Sequence, residues 1–131
     1  MNQRVKIKLG QLLSSLSFAL DVAENRYLNH SRRTAYIAYC IAKEMKLKKE
    51  DIIDIYYVSL IHDIGMAGYL SNHSVREIHF REDLRKEHCF NGYEILDRLP
   101  LKKNMKKYIL YHHEEWQGTG PYGLKGDQIP L

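Results

Sequence analysis

The pair His62-Asp63 closes an apolar run that begins at Ile52 and ends at Ile61, and Ile64-Gly65 follows it at once. Neutral imidazole and carboxylate oxygen are the ligands that divalent transition metals take. Three further stretches offer ligands of the same type: His30, His88 and the doublet His112-His113. Each lies beside a helical apolar pattern, so the expected site is assembled from several helices. Every one of these histidines also has a plainer reading. His30 could be a helix-start residue, His88 a surface residue after Lys86 and Glu87, and His112 a half-buried partner of Tyr111 or Glu114. His73 and His79 are read as surface residues.

Neighbouring residues on a helix point about 100° apart. His62 and Asp63 therefore chelate one ion poorly from mid-helix. They suit two neighbouring ions, or a helix that unwinds near Gly65, and the same holds for His112 and His113. Two doublets favour a two-metal cluster, with Asp63 the one carboxylate placed to bridge. Two ions about 3.5–4 Å apart clamp the attacking and leaving oxygens of a phosphoryl transfer and make hydroxide available near neutral pH.

The elements that must carry these ligands are helical. Leu9, Leu12, Leu13, Leu16, Ala19, Leu20 and Ala23 recur at three- and four-residue steps and predict a helix over 5–24. Residues 25–29 break it, and Asn29 is a plausible N-cap for a second helix from His30 to Met45. Ala35, Ile37, Ala38, Ile41, Ala42 and Met45 form its expected inner face. A third helix over 50–64 is apolar on most sides and is expected to be the most buried, with Gly65 and Gly68 ending it. Residues 66–81 read as a loop or a short helix. A fourth helix runs over 83–99 to Pro100, and Gly92 within it implies close packing. A fifth covers 102–114. Gly118, Gly120, Pro121, Gly123 and Gly126 mark an ordered C-terminal loop. No alternating strand pattern appears, so the fold class is all-α, a bundle of about five helices in one domain over 1–131. Gln128-Ile129-Pro130-Leu131 reads as the lead into another helix, and the chain is expected to be a truncated piece.

With 131 residues, 44% hydrophobic and 27% charged, the chain has enough material for a core and is not disordered. The net charge of +4 is mild but favours an anionic substrate. The lysines at 46, 48 and 49 and at 102, 103, 106 and 107 read as solvated helix ends and faces. No nucleic-acid recognition motif accompanies them, so no DNA or RNA binding is expected. Cys40 and Cys89 show no paired spacing and no secretory context, which argues against a disulfide. Cys40 is placed in the core. Cys89 is read as a partly buried free thiol, with a ligand role as the alternative. No signal peptide or membrane-length apolar stretch is found, so the expected location is cytoplasmic.

The arrangement resembles the HD-GYP branch of the HD phosphohydrolase superfamily from Leu12 to Leu131. The matching pieces are His30-Ser31-Arg32-Arg33 with Ala35 and Ile37-Ala38, then Leu60-Ile61-His62-Asp63-Ile64-Gly65, and His88 with Gly92 and Ile95-Leu96. After these come His112-His113-Glu114 with Trp116, and Gly118-Thr119-Gly120-Pro121 leading to Gly123-Leu124-Lys125-Gly126 and Ile129-Pro130-Leu131. The resemblance implies an all-helical domain that hydrolyses cyclic di-GMP at a two- or three-metal centre. Iron or manganese are the implied metals, with zinc, nickel or magnesium as alternatives. By the same resemblance His30, His62 and Asp63 hold one ion, and Asp63, His88, His112 and His113 the second. His62 and Asp63 would then be catalytic, at the place where metal-activated hydroxide attacks phosphorus. Arg33 and the loop residues Gly118, Thr119, Gly120 and Lys125 would contact the substrate.

Three departures from that family pattern stand out. Met66 occupies the place of a lysine expected to contact the substrate phosphate, and a thioether cannot replace its charge. The Gly-Tyr-Pro signature lacks its tyrosine, since Gly120 abuts Pro121 and Tyr122 lies in the variable place after it; Gln117 stands where aspartate is common. A later aspartate ligand of the first ion falls past Leu131, so unequal occupancy is expected, with the His88-His112-His113 position filled more readily. The leading function is a metal-dependent phosphodiesterase of the cyclic di-GMP type, weak or inactive in this piece alone. The alternative is an impaired module that binds a nucleotide or a partner protein without turnover, and a third is a phosphohydrolase acting on another nucleotide. Apolar surface left by a missing following helix predicts self-association, as a homodimer or by exchange of helices.

Overall fold

The computed structural model describes residues 6–24 and 29–130. Among them are six α-helices and no strand: α1 (Leu9–Ala23), α2 (His30–Glu44), α3 (Lys49–Leu60), α4 (Val75–Phe80), α5 (Glu82–Asp97) and α6 (Lys103–Tyr111). Short 3₁₀ turns occupy Ile64–Met66 and Gly126–Gln128. The all-helical expectation holds, with one helix more than the expected five. The extra element is α4, six residues long. One and a half turns are too few to show a helical period. Its start is fixed locally: Ser74 Oγ accepts from Glu77 N–H at 3.2 Å, and the Glu77 carboxylate accepts from Ser74 N–H at 2.8 Å.

Leu13 and Leu20 of α1, Ala35 of α2, Val58 and Leu60 of α3, Leu96 of α5, and Met105 and Ile109 of α6 form the main core together with Ile61 and Ile64. Each of these side chains other than that of Ala35 contributes about 1.5–3 kcal/mol when fully buried. A second, smaller cluster joins Met66, Ile78 and Leu84. α2 packs chiefly against α3, whereas α5 packs against the 64–66 turn, α6 and α4. The most buried helix is therefore α5, with five buried residues, and not α3, where only Asp54, Val58 and Leu60 are buried.

The inner face of α2 differs from expectation in the same way. Ala35 and Ala42 are buried, but Ile37, Ile41 and Met45 are each more than half exposed, and Cys40 is exposed instead of core. The small alanines let α2 lie close to α3, which turns the larger side chains outward. Asn29 does occupy the N-cap position, in the left-handed region at φ 79°, but its side chain makes no cap bond. Asp21 of α1 does that work: its Oδ1 accepts from Ser31 N–H at 3.1 Å and from the Ser31 hydroxyl at 2.7 Å. This bond fixes where His30 begins α2. At the other end of the bundle Lys102 Nζ donates to both oxygens of Asp54 at 3.0 Å, tying the start of α6 to α3.

The expected start of α1 at residue 5, most of the break at 25–29, and Leu131 lie outside the described residues. No helix among those described is long and apolar enough to cross a membrane.

Candidate metal centre

The third helix ends at Leu60, before the ligand pair. Ile61 leaves helical geometry at φ −127°, ψ 20°, and Asp63 precedes the 64–66 turn. The unwinding falls earlier than Gly65 and frees both side chains. His62 Nε2 then stands 3.0 Å from Asp63 Oδ2. Gly65 presses the turn against α5, where His88 lies, and Gly92 receives it.

Asp63 is 1% exposed and the others gather about it. His79, His88 and His112 present Nε2 to its Oδ1 at 3.7, 3.9 and 3.8 Å. The His88 and His112 Nε2 atoms are 3.4 Å apart. His30 packs its ring 5.6 Å from that of His62, and His113 lies 4.2 Å from His112 and 4.9 Å from His88 between centroids. All six expected ligand residues thus converge from α2, the α3 end, α5 and the α6 end.

The tautomers are set by the backbone. His62 Nδ1 is 2.9 Å from Ser59 O, His79 Nδ1 is 3.0 Å from Val75 O, and His112 Nδ1 is 2.6 Å from Ile109 O. A carbonyl only accepts, so each Nδ1 carries a hydrogen and each Nε2 is turned inward toward Asp63. A hydrogen bond to the outward nitrogen is what orients metal-binding histidines. Imidazoles and a carboxylate converging in a buried space suit a bound cation. Two ligands each about 2.1 Å from one ion stand about 3–4.2 Å apart, depending on the angle between them. The nitrogen–oxygen and nitrogen–nitrogen separations fall in that range. Three ligand sets are compact enough to hold an ion: His30, His62 and Asp63; His88, Cys89, His112 and His113; and Asp63, His79 and His113.

Burial opposes ionisation of Asp63, but the imidazoles of His112, His62 and His79 outweigh it and hold the carboxyl well below the usual range. Burial also works against charge on His62, yet the Asp63 carboxylate and the Ser59 carbonyl raise it overall. Burial, with His112 nearby, drives His88 down to about 3. Burial and the neighbouring His112 and His88 take His113 to about 2. Those two imidazoles are neutral near pH 7, the form that binds metal. Cys89 is fully buried with Sγ 3.7 Å from His112 Nδ1, and burial followed by the Asp63 and Glu114 carboxylates pushes it up to about 12.

The reading of His79 as a surface residue is corrected: it lies on α4 facing Asp63. The residue was missed because α4 is too short to show a helical period. The available signal was Ile78 beside it, which is fully buried. His73 is half-buried and takes no part in the three ligand sets.

A cleft of about 350 Å³ opens beside the cluster, lined in part by Ser59, His62, Tyr108, Tyr111, His112 and Ile129. Gly118, Thr119, Gly120 and Lys125, the loop residues expected to contact substrate, are not among its lining residues. Glu114 explains this: its Oε1 accepts from Tyr122 N–H at 2.7 Å and its Oε2 from Leu124 N–H at 2.5 Å. The loop is folded back on the end of α6, Thr119 donates to exposed Glu115, and Ile129 and Pro130 reach the cleft instead. Arg33 is exposed on α2, next to the cleft residue Thr34.

The HD-domain family pattern matches residues 14–131. The chain belongs to the HD-domain family. A 3'3'-cGAMP-specific phosphodiesterase of Vibrio cholerae is 30% identical over 116 residues, which is 88% of this chain and 27% of the relative. A cyclic di-GMP phosphodiesterase of Thermotoga maritima is 31% identical over 127 residues, 92% of this chain and 34% of the relative. A second 3'3'-cGAMP-specific phosphodiesterase of Vibrio cholerae is 31% identical over 125 residues. This HD domain spans about a third or less of the length of these curated relatives. Its His/Asp groups agree with the divalent metal dependence of HD phosphohydrolases.

Proposed function

We propose that this HD domain is the metal-dependent phosphodiesterase part of an HD-GYP-type protein, acting on a cyclic dinucleotide. The observation that carries the reading is the set of imidazoles whose Nδ1 atoms are tied to backbone carbonyls and whose Nε2 atoms are turned on Asp63. His30, His62 and Asp63 would hold one ion and Asp63, His88, His112 and His113 the other. Bound divalent metal supplies Lewis acidity toward a phosphate oxygen and lowers the pKa of water. The chain's own share is to keep His88 and His113 neutral, to hold Asp63 ionised, and to exclude bulk water behind Ile61 and Ile64, both buried. Tyr108 and Tyr111 at the cleft supply faces on which a base can stack, and the half-buried Thr34 offers a hydroxyl at the rim.

Incubating the protein with cyclic di-GMP and with 3'3'-cGAMP in the presence of Mn(II) or Fe(II), and separating linear and fully hydrolysed products, tests this. Metal-dependent turnover that Asp63→Asn lowers by about a thousandfold or more is the expected result. No turnover with any metal, on a chain extended past Leu131, would refute it. The second reading, a module that binds without turnover, is favoured by Met66, which is fully buried and brings no cation to the cleft. Cyclic dinucleotide binding in calorimetry with no product formed would select it.

A further inference from the structure

We propose that His79 is a metal ligand, forming with Asp63 and His113 a coordination position additional to the two sets inferred above. The inference rests on the metal-dependent reading of the same cluster. Nothing in the matched motifs points to residue 79, and the case for it is geometric. His79 shares with His62 and His112 the arrangement that prepares an imidazole for metal: Nδ1 donates to a carbonyl three or four residues upstream, here Val75 O at 3.0 Å, and Nε2 is left facing Asp63 Oδ1 at 3.7 Å. That distance is slightly shorter than those from His88 and His112 to the same oxygen. The His79 ring stands 5.2 Å from that of His113 and 5.9 Å from that of His88, at steep angles of 75° and 77°. His113 Nε2 is buried without a hydrogen-bond partner. Asp63, His79 and His113 each offer a donor atom within 4.8 Å of the others'.

The position depends on Met66. A lysine there would carry an ammonium that needs water or an anion. The thioether instead fills the small core with Ile78 and Leu84 and is fully buried. That core holds α4 down on the 64–66 turn. Ile78 is its anchor, and the next residue round the helix is His79, aimed at the cluster. Met66 therefore packs the helix that carries His79 and brings no charge of its own to the cluster.

The test uses Co(II), whose bound imidazoles give paramagnetically shifted N–H proton resonances. The His79 Nδ1 proton is hydrogen-bonded and partly shielded, so its resonance is observable. The wild-type protein should show one shifted N–H resonance more than His79→Gln. The variant should also bind Co(II) or Mn(II) with one equivalent fewer, or with its weakest site weakened more than about tenfold. His79→Asp, which keeps a ligand atom, should restore the equivalent, and His73→Gln should change nothing. Unchanged stoichiometry, affinity and resonances in a folded His79→Gln overturn the assignment of His79 alone. Wild-type protein that takes up neither metal overturns this inference together with the metal-dependent reading beneath it.

Discussion

The backbone of Gly65 lies directly against that of Gly92, so a methyl group added at Gly65 would overlap the His88 carbonyl oxygen and reach 2.6 Å from the Gly92 nitrogen. This contact joins the turn that carries Asp63 to the helix that carries His88. Gly65→Ala has only backbone to push against. We expect it to cost about 3 kcal/mol or more, or to prevent folding. Gly92→Ala meets Ile109 Cγ2 at 2.7 Å, a side-chain atom that can shift, and should cost about 1–2 kcal/mol. Urea unfolding of the two variants should rank them in that order, and equal midpoints would show that the crossing is not rigid.

Met66 invites a repair experiment, because the resemblance places a lysine there. The repair is expected to fail. Met66 packs against Ile78 and Leu84 and has no exposed surface. Met66→Lys buries an ammonium among them and should destabilise by about 3 kcal/mol. It should also loosen α4 and with it His79. Met66→Leu keeps the volume and should cost less than about 1.5 kcal/mol. Thermal melts of both variants check this, and a Met66→Lys protein as stable as the parent would show that the position opens to solvent.

Removing metal should be felt as lost stability. Imidazoles packed round a buried carboxylate are tolerated best with a cation between them. With Mn(II) at about 100 times its Kd the folded state should gain about 2.7 kcal/mol, or roughly 10 °C in Tm. EDTA should abolish the gain, and Asp63→Asn should show little of it. A Tm indifferent to Mn(II) in the parent protein would count against the cluster as a metal centre.

The site and the fold were legible in the sequence to different degrees. His62-Asp63 and the doublet at 112 could be read as ligand types beside helical patterns, but the spacing kept both pairs inside helices over 50–64 and 102–114, whereas those helices end at Leu60 and Tyr111. The exchange of faces on α2 could not be read. Ile37, Ile41 and Met45 share the helical period with Ala35 and Ala42, and only the close approach of α3 selects the alanines. The loop showed its order through its glycines, but its direction depends on Glu114, whose role lies in accepting two backbone hydrogens 8 and 10 residues ahead. A lone glutamate beside a histidine doublet carries no such signal in the sequence.

That glutamate yields the last expectation. Glu114 holds Tyr122 N–H and Leu124 N–H on separate oxygens, and Gly120 lies so close over its Cα, 2.6 Å from a Cβ placed on the glycine, that no larger residue fits between them. Glu114→Ala leaves both amides without an acceptor and should release the loop, at a cost of about 2 kcal/mol. Glu114→Gln keeps only one good acceptor, so one of the two bonds must be lost and the effect should be intermediate. Amide exchange at Tyr122 and Leu124 reports the two bonds separately, and proteolysis after Lys125 reports the loop as a whole. Ile129 and Pro130 close the cleft wall only if the loop returns, so substrate affinity should weaken in step with loop exposure. Fast exchange at both amides in the parent protein would show that Glu114 does not hold the loop.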